Sequence, residues 1–110
     1  MDERRRRRGE TLEAALSYQL AACVEDEGLS GMVLADDQGL CLAGWGRPEV
    51  CEEVAARAPL GRAVDGARRL RFGGIELFLC AMGGEPPARG RSLDRSAAAI
   101  ERILGRWIAT

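Results

Sequence analysis

The groups on this chain with chemistry to offer are four cysteines, seventeen carboxylates and sixteen basic residues, every one of them arginine. Histidine is absent. That removes the commonest general base, the usual partner in a nucleophilic triad and the commonest metal ligand. With no lysine there is no Schiff base and no phosphate-binding Gly-Lys loop. Cys23, Cys41, Cys51 and Cys80 show no C-x-x-C spacing, so the usual zinc and redox patterns are missing. Each lies inside an apolar run and is expected to pack as a small, reduced hydrophobe. Cys51 near a helix start is the best remaining nucleophile, since a helix N-terminus lowers a thiol pKa. It stands on an apolar stripe beside Glu49, Glu52 and Glu53, which oppose that effect. The residues therefore predict no catalytic set, no metal site and no cofactor.

The paired carboxylates Asp36 and Asp37 sit in GMVLADDQGLCLAGWG, between two short apolar runs. A calcium loop needs oxygen ligands at alternating positions, and they are lacking. Asp bonds its own backbone and Gly39 supplies a positive φ, so Asp36-Asp37-Gln38-Gly39 is expected to turn a hairpin. Arg89, Arg91 and Arg95 form the one arrangement suited to a small anion. They cluster where a last helix should begin, and free N–H groups at such an end attract negative charge. Residues 1–9, MDERRRRRG, are a charged arm. A run of five arginines is expected to be a solvated or frayed extension of the next helix. Nucleic acid enters only through Arg4–Arg8, and no interleaved aromatic supports it.

These groups hang on a regular series of elements. Leu12, Leu16, Leu20, Cys23 and Val24 make one stripe of a helix over residues 10–27, and Gly28 suits its C-terminal cap. Met32–Ala35 and Leu40–Ala43 are apolar on successive residues, so both strands are expected to be buried on two faces. Pro48 opens a second helix with Val50, Cys51, Val54, Ala55 and Ala58 on one side. Pro59 kinks or ends it, with Leu60–Val64 a candidate further turn. RRLRF at 68–72 alternates as an edge strand, with Leu70 and Phe72 on one face and Arg69 and Arg71 on the other. Gly73-Gly74 turns the chain into Ile75–Met82, a central strand. Residues 83–91 read as a flexible connector. Leu93, Ala97, Ile100, Leu104, Trp107 and Ile108 then stripe a last helix from about Ser92 to Ile108.

The expected fold is thus α+β in the order α-β-β-α-β-β-α. An antiparallel sheet of four to five strands is sandwiched by helices, the first and last on one face and the middle one on the other. Residues 10–110 make a single domain behind the arm. No apolar run reaches the roughly 18 residues of a membrane span. With no signal-type segment and a net charge of -1, a cytoplasmic location with no membrane partner is expected.

In this order of elements the chain resembles the Roadblock / dynein light chain family. The likeness is carried by GLSGMVLADDQGLCLAGWG, the first hairpin, by PEVCEEVAARAP, the helix after it, and by RLRFGGIELFLCAMGG, the closing hairpin. It covers about residues 10–108. The family usually has three strands after the middle helix and this chain offers two, unless one lies around Arg62–Arg69. Related GAF- and profilin-like folds share the same helix-flanked sheet. The resemblance implies a non-enzymatic interaction module of bacterial regulator type, paired with itself or a paralogue and acting on a small Ras-like GTPase. It implies a dimer or partner surface with Val50, Val54 and Arg57 on the helix and Leu70 and Phe72 on the strand. A GAF-like sensor of a small ligand or anion is the alternative.

Overall fold

A computed structural model describes residues 3–61 and 66–108 of the 110-residue chain. Helix α1 spans Glu3–Glu27, strand β1 Gly31–Asp36, strand β2 Cys41–Trp45 and helix α2 Pro48–Arg57. A 3-10 turn, Ala58–Leu60, follows. Strand β3 is Gly66–Phe72, strand β4 Ile75–Met82 and helix α3 Pro86–Ile108. The strands form one antiparallel sheet in the order β2-β1-β4-β3.

Side-chain alternation along the two central strands divides the core in two. Met32 and Leu34 of β1, with Leu77, Leu79 and Ala81 of β4, face α1 and α3. There they meet Leu16, Leu20, Leu93, Ala97 and Ile100. Val33 and Ala35, with Phe78, Cys80 and Met82, face α2 and meet Cys51, Val54 and Ala55. The sheet is sandwiched as the order of elements predicts.

Local signals set the ends. Gly28 takes φ +65°, and the Leu29 N–H reaches back to the Val24 carbonyl at 3.0 Å, closing α1 in a Schellman arrangement. Asp36 builds the first hairpin turn. Its Oδ1 accepts from the backbone N–H groups of Gln38 and Leu40, each at 2.9 Å. Gly39 follows with φ +81°. The Asp36 carboxylate turns the chain. Pro59 falls in the 3-10 turn, and Gly61 ends it in the left-handed region with φ 71°.

The burial of one strand and the bounds of several elements differ from those expected. β1 is buried from Gly31 to Ala35, but β2 is a mostly half-buried edge strand, because it pairs with β1 alone, and its register shifts opposite Leu34 and Ala35. Helix α1 begins at Glu3 rather than near residue 10, its backbone running on through the arginine arm as the expected extension of the helix. Residues 86–91, expected as connector, are the first turns of α3. Two prolines suit the start of a helix, and Ala88 is already buried there. The described sheet has four strands, with β3 starting within the weak 62–69 stretch, at Gly66. Residues 62–65 lie outside the described residues, as do the side chains of 3–11 and 108.

Candidate interaction surface

Three of the four cysteines are buried, and each thiol whose pKa is displaced is displaced upward. Cys23 is buried, with its Sγ 3.1 Å from Ser96 Oγ. Burial pushes the Cys80 thiol up to about 11. Burial also raises Cys41, with the neighbouring Cys51 adding to the effect. Cys51 does sit in the first turn of α2, yet its pKa rises: burial dominates, and Glu49 and Glu52 reinforce it. Desolvation thus outweighs the pull of the helix end. No group of three or more Cys, Asp or Glu suited to a metal ion occurs among the described residues.

The three arginines proposed for an anion are held by the protein itself. Arg89 donates to the carbonyls of Gly83 at 3.1 Å and Gly84 at 2.8 Å. Arg91 grips both Glu27 carboxylate oxygens, at 2.8 and 3.2 Å. Arg95 bonds Asp26 Oδ2 at 2.7 Å. The last two tie the start of α3 to the end of α1. Reading the sequence missed Asp26 and Glu27 because more than sixty residues separate them from their partners. The acidic close of α1 beside an arginine-rich helix start was the available signal.

The helix-and-strand surface is more informative. Val54 and Leu70 are core residues, exposed by only 6% and 8%. They point into opposite halves of the core, Val54 under α2 and Leu70 under α1 and α3. Neither is a contact residue of a free surface; each stands on the inward stripe of its element. Val50 is exposed, Phe72 half-buried, and Arg57 is exposed and paired with Glu53 at 2.7 Å.

Exposed around them is a different set. β3 is an outer strand, paired on one side by β4. Its side chains on the α2 side are Ala67, Arg69 and Arg71, all exposed. Helix α2 packs on β1 and β2 and touches β4 less, with little if any packing on β3 among the described residues. Arg69 lies over the buried Phe78 ring at 5.7 Å. It also reaches Glu76 at 3.6 Å. Helix α2 carries Glu49, Glu52 and Glu53 outward. An unpaired strand edge with two arginines therefore shares a face with an acidic helix.

Two open grooves bear on the ligand-sensing alternative: one between α1 and α3 carries Gln19, Arg102, Arg106 and Trp107, and the other is almost wholly apolar. The open groove lined by Leu12, Leu16, Leu34, Leu42, Leu77 and Leu104 has Glu13 as its sole charged lining residue. Orienting a small polar ligand takes several convergent polar groups.

This is an α+β fold of Roadblock type, a helix-flanked antiparallel sheet with an open outer strand. Solved structures of MglB share it. The gliding protein MglB from Thermus thermophilus superposes with a TM-score of 0.61 at 14% identity, over 86% of this chain and 92% of that one. An MglB with a tetrameric arrangement gives 0.59 at 16% identity, over 87% and 92%. MglB from Myxococcus xanthus gives 0.59 at 9% identity, over 97% and 94%. No family model matches the chain, and no curated protein matches its sequence. At these identities the likeness establishes the fold.

Proposed function

We propose that this chain is a non-enzymatic interaction module. It pairs with itself or a paralogue through β3 and α2, and it regulates or scaffolds a small Ras-like GTPase in the cytoplasm. The observation that carries this reading is the outer strand β3, which among the described residues is paired by β4 alone and packs little against α2. Such an edge is a template for another strand. Antiparallel pairing of two β3 strands across a two-fold axis would extend the sheet and bring the two α2 helices to one side. Charge favours that arrangement: Arg69 and Arg71 of one copy meet the acidic helix of the other. Of the surface implied by the resemblance, Val50 and Arg57 remain available on the α2 side, Phe72 is half-buried on the opposite face with Leu70, and Val54 and Leu70 act beneath. The GTPase comes from the Roadblock resemblance, and the MglB neighbours are consistent with it.

Light scattering after size exclusion, over a dilution series, tests the pairing. Self-association lasting to low micromolar concentration, and dropping to a smaller assembly on Arg71→Glu, is the expected result. A wild-type monomer at all concentrations overturns it. Binding to a Ras-like GTPase loaded with GDP or with a non-hydrolysable GTP analogue tests the second half. Preference for one nucleotide state is expected, and equal or absent binding across a panel refutes it.

A further inference from the structure

Residues 14–24 of α1, AALSYQLAACV, carry no charged side chain, in a chain that is 30% charged. Three turns of helix without charge are expected where every side is covered. Here one side alone is covered. Leu16, Leu20, Cys23 and Val24 are buried, whereas Ala14 and Tyr18 are exposed and Ala15, Ser17, Ala21 and Ala22 are half-exposed. Tyr18, the chain's only tyrosine, is 80% exposed. Trp45, at the end of the other edge strand, is 47% exposed and lines the same shallow groove, with Ala14, Ser17, Tyr18, Ala21, Ala22 and Glu25. Small residues flanking exposed aromatic anchors are what a close-packing helix needs, and Tyr and Trp are the side chains that dominate such contacts.

The charges at the two ends of α1 identify the occupant. Arg4–Arg8 fall in its first turns, and Glu25-Asp26-Glu27 close it. Asp26 and Glu27 are engaged by Arg95 and Arg91, whereas Glu25 is exposed. A helix basic at its start and acidic at its end complements an antiparallel copy of itself. The register that sets Glu25 beside Arg7 of the other copy also sets Tyr18 beside Ala14, large against small. Buried apolar area supplies the affinity, and the end charges fix orientation and register.

We infer that the outward face of α1, centred on Tyr18 and flanked by Trp45, is a second self-association surface, occupied by α1 of another copy running antiparallel. It is separate from the β3 edge. A chain using both builds assemblies larger than a dimer.

Sedimentation equilibrium of the full chain tests this. The variants are Tyr18→Glu, Arg71→Glu and both together, each checked for an unchanged far-UV spectrum and melting midpoint. With β3 disabled by Arg71→Glu, self-association should persist. Adding Tyr18→Glu should weaken it by roughly tenfold or more. The remaining association should also weaken between about 0.05 and 0.5 M salt, as end charges are screened. An Arg71→Glu variant that is monomeric throughout overturns the inference. So does a dissociation constant that Tyr18→Glu moves by less than about twofold. If Arg71→Glu has no effect while Tyr18→Glu abolishes association, the α1 surface stands and pairing through β3 falls.

Discussion

At the scale of single residues, two positions separate backbone strain from packing. Gly73 and Gly83 both take positive φ, +57° and +75°. A Cβ on Gly73 would meet nothing within 4 Å. One on Gly83 would overlap Ser30, whose backbone N–H holds the Met82 carbonyl at 2.7 Å. Gly73→Ala should thus cost about 1 kcal/mol, the left-handed penalty alone. Gly83→Ala should cost about 2–4 kcal/mol, since the joint between β4 and the β1 entry must open. Urea unfolding of the two variants reads the difference, and equal losses would refute the packing argument. Ser92 offers the opposite sign. It is fully buried and its Oγ has no partner among the described residues. Ser92→Ala should be neutral or stabilising by up to about 1 kcal/mol, because a desolvated hydroxyl is removed. Residue types alone made the turn at Asp36 legible, since its chemistry is local. They left the fate of Arg91 and Arg95 open, since the partners come from another element.

At the scale of elements, the helix stripes and both hairpins were legible because periodicity and glycine punctuation are written in consecutive residues. The start of α3 was not. GGEPPARGR has the composition of a loop, and its helix is held by contacts made elsewhere: Arg91 with Glu27, and Arg89 across the preceding glycines. Nor did apolar content distinguish β1 from β2, since strand order decides which is central. The Arg91–Glu27 contact carries a pH signature. The Arg91 hydrogen bond is the main reason the Glu27 carboxyl titrates below its ordinary value of 4.5. A depressed carboxylate pKa means the folded state binds the proton less readily than the unfolded chain. The contribution is therefore complete above that ordinary value, and it is lost as pH falls through the folded one. Glu27→Gln should destabilise the chain at neutral pH, with the gap from wild type closing in acid below the usual carboxylate range. Unfolding midpoints of both proteins at pH 7 and pH 3 measure it. A gap that stays constant would mean Glu27 acts by packing rather than charge. The effect is small, as befits an exposed pair.

At the scale of the whole molecule, the described chain measures 44 × 28 × 25 Å and leaves both outer strands unpaired on one side. Closed barrels abolish such edges, while open sheets either protect them or use them. β3 is guarded by Arg69 and Arg71, whose charges discourage indiscriminate pairing while permitting a partner with acidic groups. β2 is shielded in part by its shifted register and by α1 packed alongside. Within one copy, amide exchange should therefore be slowest in β1 and β4, whose backbones are paired on both sides, and faster in β2 and β3. Concentration supplies the decisive contrast. On going from a dilute to a concentrated sample, protection should rise in residues 66–72 if strands pair, and in residues 14–25 if the α1 faces meet. β1 and β4 serve as the internal reference, because assembly adds nothing to amides already buried in the core. Protection gained equally everywhere would report tighter global folding, with no surface distinguished. Protection gained at β3 alone would limit the molecule to a dimer, because a two-fold axis through that edge consumes it. Gains at both segments would follow from two surfaces on opposite faces of one protomer, neither of which occludes the other.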